Sequence, residues 1–195
     1  MRRGIMEAIK PFLWSASIEN APAWIVVCID LYRLRRLLEH EGVKYRPYSG
    51  YVIRSIVDAA LATENLAIAA ESFGLGSLIV GMVFESMTAV SRLLGLPAGV
   101  TPLLMVCIGR PDEEPRQRPR WPLDMVRHVD RYERVTNRDI AKYVRYFESM
   151  MRVGRDHHNK YRYRDHLERL MRVPLQNRSN EKRIRKLLRR NGISL

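Results

Sequence analysis

The sequence predicts interleaved strands and helices, which favours an α/β or α+β sandwich in one globular domain. Two observations carry this. Short apolar runs at 24–30, 77–81 and 102–108 are separated by helical stretches at 31–40, 52–73 and 86–94. The 195 residues are 46% hydrophobic and 28% charged, enough apolar material for a core and too little charge for disorder.

The first run, WIVVCID at 24–30, is rich in β-branched residues and bounded by Pro22 and Asp30, so it reads as an interior strand. A basic helix over Leu31–His40 follows. Residues 46–50, with Pro47, Ser49 and Gly50, read as a loop. From Val52 to Phe73 nearly every helical face carries Ala, Leu, Ile or Val, which predicts a central helix packed on several sides. Gly74 and Gly76 suit a left-handed helix stop with Leu75 as its hydrophobic contact. Ser77–Gly81 is then a short buried strand, and Ser86–Leu94 a helix ending at Gly95. Pro102–Ile108 is a further strand.

Residues 110–122 hold four prolines and four arginines, a stiff extended connector. Beyond them the chain turns helical and basic. Thr136 and Asp139 have the spacing of a capping box opening a helix to about Arg152, and Ser179 can cap a last helix that ends at Asn191 and Gly192.

The formal charge of +13 is unevenly distributed. Residues 116–195 hold 23 Lys and Arg against 9 Asp and Glu, whereas residues 1–115 hold 11 against 12. The basic half therefore attracts phosphates, in nucleic acid, membrane or a nucleotide. The apolar stretch 52–73 is interrupted by Arg54, Asp58, Glu64, Asn65 and Glu71, which excludes a bilayer span. At the start, Glu7, Lys10 and Pro11 leave no apolar region adequate for a signal peptide. Cys28 and Cys107 each lie in an apolar run and make no disulfide framework, which points to a reducing cytoplasm.

Side-chain catalysis is not indicated. GLGSLIVG at 74–81 leaves a helix and enters a strand, the reverse of a dinucleotide-binding glycine turn. His157-His158 and Asp165-His166 lack metal-ligand spacing, and no GxSxG, phosphate-loop or CxxC motif is present.

The order of parts across 58–120 does resemble a known family: a buried helix, GLG, the strand SLIVG, the loop LGLPAGV, the strand PLLMVCIG, then Arg118-Pro119-Arg120 before Trp121-Pro122-Leu123. It is similar to the C-terminal half of the FMN-dependent nitroreductase and flavin reductase family, particularly the oxygen-insensitive NADPH nitroreductase branch. The resemblance implies an α+β fold with a mixed sheet flanked by helices. Residues 1–132 would form the core, and 133–195 a basic helical extension of the same domain. It implies a homodimer with exchanged terminal segments and FMN at the subunit interface. Ile79, Val80 and Gly81 would address the flavin ring, and Arg118 and Arg120 would grip its phosphate. Arg155 and Arg162, in RVGRDHHNKYRYR, would meet the extra phosphate of NADPH, with NADPH or NADH as donor and a small molecule as electron acceptor. Where the family often has two glycines, this chain has Gly81-Met82. The family's R-S-x-R type motif, whose arginines also bind the flavin, is not shown by residues 1–20: either a segment outside this sequence supplies it, or the flavin site is weakened or absent.

The rival reading is a non-catalytic protein of the same fold that binds nucleic acid or another anionic partner through residues 116–195.

Overall fold

The computed structural model describes residues 3–10, 16–46, 48–84, 86–112 and 120–153, together with 163–165, 167–168, 171, 182, 185–186 and 188–189. Two compact units divide the chain: 1–112 with 179–195, and 113–178.

The first unit is α+β. Helices α1 (Arg3–Ile9) and α2 (Ala16–Glu19) precede strand β1 (Ala23–Asp30), followed by α3 (Leu31–His40) and the long α4 (Ser49–Ser72). Strand β2 (Gly76–Val80) runs into a short 3-10 helix, Gly81–Phe84, and α5 (Met87–Leu93) leads to β3 (Val100–Gly109). Central β3 pairs antiparallel with β1 on one side and β2 on the other. Among the described residues every strand pairing is antiparallel, so the parallel strand that a mixed sheet requires is not among them.

Period-two alternation divides the sheet into two faces. Trp24, Val80, Met105 and Cys107 form one core with Ile9, Ile18, Val83 and Val90, which brings α1, α2, the 3-10 helix and α5 to that face. On the other, Ile29 and Leu31 pack with Val52 and Ala59 of α4. Pro102 has no N–H to give to a ladder, yet it lies in the central strand. It is tolerated because the register slips there, in a bulge between Val27 and Cys28.

Local chemistry fixes the helix ends. The Asp30 carboxylate accepts the Arg33 N–H at 2.9 Å and caps α3. Helix α4 ends in a Schellman motif: Gly74 sits at φ +70°, its N–H donates to Glu71 O, and Leu75 N–H donates to Ala70 O. The left-handed turn falls on Gly74 alone, whereas Gly76 is already the first residue of β2. The predicted loop at 46–50 is shorter than expected, because Ser49 and Gly50 open α4.

α4 departs from expectation. Val52, Ala59, Thr63, Ala67 and Ala70 are buried, and the Thr63 hydroxyl is satisfied by Ala59 O at 2.7 Å. On the opposite side Ile53, Val57, Leu61 and Ile68 are each more than half exposed. One chain has a single sheet face to offer this helix, so α4 is packed on one side only and its second apolar stripe faces solvent.

In the second unit, α6 (Leu123–Val126) and α7 (Asn137–Val153) are joined by the ion pair Lys142–Asp124 at 2.8 Å. The capping box is present: Thr136 N–H donates to Asp139 Oδ2 at 2.9 Å, and Asp139 N–H donates to Thr136 Oγ1 at 3.2 Å. Ser179, Asn191 and Gly192 lie outside the described residues. No helix among the described residues is long and apolar enough to cross a membrane.

Candidate flavin site

Gly81 lies between two anchors. Before it, Val80 is 4% exposed and pairs with Met105 in the β2–β3 ladder. Two residues after it, Val83 is 1% exposed in the same core. Gly81 itself is exposed, and a Cβ built on it would meet nothing within 4 Å. Its φ is not in the left-handed region. Neither packing nor backbone conformation therefore demands glycine here, and the open space beside it leaves the backbone accessible to a flat ligand.

The neighbouring residues extend that accessible edge. Ile79 pairs with Val106, lies on the sheet face opposite Val80, and is 46% exposed. Strand β2 is at an edge of the described sheet, so one side of its backbone carries no strand partner among the described residues.

Arg120 belongs to the second unit and is exposed there. The next residue is fixed: the Trp121 ring packs edge-on against Phe147 of α7 at 4.4 Å, and Tyr163 stacks on Phe147 at 5.2 Å. An aromatic cluster thus holds one flank of the basic motif. Arg118, Arg155 and Arg162 lie outside the described residues, as do His157, His158 and His166.

Electrostatics in the first unit disfavour thiol chemistry. Burial pushes the Cys107 thiol up to about 11, and burial followed by the nearby Asp30 charge raises that of Cys28. Both stay protonated at neutral pH, poor nucleophiles and poor metal ligands. Among the described residues no group of three His, Cys, Asp or Glu could hold a metal ion.

Two features of the structure were not drawn from the sequence. The first is the anchoring of Gly81 by Val83. The second is a group of exposed cations, Lys182, Arg185, Lys186 and Arg189, whose spacing of three, four and seven residues was the available signal.

Comparison with known proteins agrees with this architecture. An NADPH-flavin oxidoreductase of Vibrio harveyi is 33% identical over 128 residues, covering 66% of this chain and 52% of that protein. An FMN reductase (NADPH) of Bacillus subtilis is 34% identical over 118 residues, covering 59% and 47%. The solved structure of B. megaterium NfrA1 superposes with a TM-score of 0.85 at 22% identity, covering 96% of this chain and 78% of that one, a likeness of fold. The chain spans about half the length of the curated relatives it matches. The nitroreductase family pattern itself matches residues 4–110, more than half of the sequence, and the chain belongs to the nitroreductase family.

Proposed function

We propose that this chain is the flavin-binding core of an NAD(P)H-dependent oxidoreductase that reduces nitroaromatics, quinones or free flavins. The observation that carries the reading is Gly81: exposed, open on its Cβ side, and pinned between buried Val80 and Val83. When bound, FMN supplies a ring that accepts hydride from NADPH or NADH and passes electrons on, so the chain needs no nucleophile of its own.

The chain's residues have separate tasks. Ile79, Val80 and Gly81 present a backbone edge to the ring, and the Gly81 N–H offers a donor that favours its electron-rich reduced form. Arg118 and Arg120, one residue apart, engage the phosphate through charge-assisted hydrogen bonds. Arg155 and Arg162 meet the additional phosphate of NADPH.

The working unit is a homodimer. Ile53, Val57, Leu61 and Ile68 form a stripe on α4 that stays in water in a single chain. Covering it with the same face of a second copy recovers on the order of 1 kcal/mol or more per side chain. Two free thiols, at Cys28 and Cys107, suit a reducing cytoplasm.

The test is a visible absorption spectrum of the purified chain after FMN is added and the excess removed. Retained flavin that bleaches with NADPH or NADH supports the reading. A chain that folds but retains no flavin contradicts it.

A further inference from the structure

We infer that Phe147 is a positioning residue for the phosphate grip at Arg120, acting through the ring of Trp121. The inference rests on the flavin reading, which gives Arg120 its phosphate. All the residues it uses belong to the second unit. Tyr143 and Phe147, four residues apart on α7, are both buried, so this helix buries one face and Phe147 stands on it. Its ring meets Trp121 edge-on, at 4.4 Å and 69° between planes. Tyr163 stacks on the same ring at 5.2 Å and 13°. Edge-on and offset-stacked rings are the arrangements that aromatic quadrupoles favour, so the three rings hold a defined geometry that aliphatic packing would not impose. Tyr163 is itself tied to α7, because its backbone N–H donates to Glu148 Oε1 at 3.3 Å.

Trp121 transmits this placement to its chain neighbour. It is 45% exposed, so few contacts compete with Phe147 to seat its ring. Its backbone is restricted as well, since Pro122 follows with φ −57°, and a residue before proline is turned away from helical conformations. Pro122 O accepts the Met125 N–H at 3.0 Å at the start of α6, and α6 is tied to α7 by Lys142 and Asp124 at 2.8 Å. Arg120 thus leaves from a segment anchored to α7 twice, by the Trp121 ring and by the Asp124 carboxylate. A guanidinium fork grips phosphate only at charge-assisted hydrogen-bond distances, and a backbone already in place spares the ordering cost of bringing it there. Phe147, buried in the unit, acts at one remove: it sets where the arginine starts.

The experiment is a double-mutant cycle on FMN affinity, measured by quenching of flavin fluorescence with the parent chain, Arg120→Ala, Phe147→Leu and the double variant. Leucine keeps most of the buried volume and removes the ring, and circular dichroism checks that each chain folds. Phe147→Leu should weaken FMN binding roughly two- to tenfold, the span of one aromatic pair. Phe147→Tyr, which retains the ring, should bind as the parent does. In a chain already carrying Arg120→Ala, Phe147→Leu should have almost no further effect, because the side chain it positions is gone. Trp121→Leu, at a half-exposed position, removes the other ring of the pair and should reproduce the loss, so the test stands even if Phe147→Leu fails to fold. Equal losses with and without Arg120 would overturn the proposal, showing that the ring only stabilises the fold. So would an unchanged affinity in Phe147→Leu, and if Arg120→Ala alone is weakened the flavin reading still stands. A folded parent that binds no FMN overturns the flavin reading and the proposal with it.

Discussion

Val80 faces Met105 across the β2–β3 ladder, both almost wholly buried, and the residue that follows Val80 is exposed Gly81. A rigid pair thus aims a backbone group that packing leaves open. The two sites should separate under mutation. Met105→Ala creates a cavity and should cost about 2–5 kcal/mol in chemical denaturation. Gly81→Ala meets no neighbour and should change stability by less than about 0.5 kcal/mol, while weakening FMN binding. Equal flavin affinity in Gly81→Ala and the parent chain would remove Gly81 from the site.

The exposed stripe of α4 predicts a dimer that a charge can split. Val57→Glu and Leu61→Glu lie outside the buried stripe of Val52, Ala59 and Ala67, so neither should unfold the chain. Light scattering on the eluting peak should report twice the chain mass for the parent and a single chain for the double variant. A parent that elutes as a monomer at micromolar concentration would count against the dimer.

Gly74 carries the left-handed turn between α4 and β2. Gly74→Ala should cost about 1 kcal/mol, because a Cβ disfavours φ near +70°. The added methyl meets nothing within 4 Å, so the loss measured by denaturation is backbone strain and not a clash.

The start of α7 should weaken in acid. The Thr136 hydroxyl and then its backbone N–H hold the Asp139 carboxyl below the ordinary carboxylate value. A depressed folded pKa makes the contribution fully present above that ordinary value and lost as pH falls through the folded one. Helicity of the parent should therefore decline further in that acidic window than that of Asp139→Asn, which has no carboxylate to protonate there.

The legible parts of the fold were those set by neighbours in sequence. β1 ends and α3 begins at Asp30 and Leu31 because a β-branched run gives way to a side chain that can cap a helix. The Gly74 stop and the Thr136–Asp139 box are likewise chemistry within a few residues. Helix α1 was not legible: its seven residues are held by tertiary burial of Ile9. Nor could α4 be resolved, since apolar residues all round a helix do not distinguish burial within a chain from burial between chains. For the proposed site, the order of motifs puts forward Gly81 and Arg120 as candidates, but the openness around Gly81 depends on how distant strands pair and could not be read from spacing.

The most direct measurement is an anaerobic titration with NADPH, followed near 450 nm, of the chain loaded with one equivalent of FMN, alongside Arg120→Ala. The account predicts stoichiometric bleaching in the parent. Losing a charge-assisted contact worth about 1.5–3 kcal/mol should weaken FMN affinity in Arg120→Ala roughly ten- to a hundredfold. A folded parent whose flavin stays free in solution, or an Arg120→Ala variant that holds FMN as tightly as the parent, would contradict it.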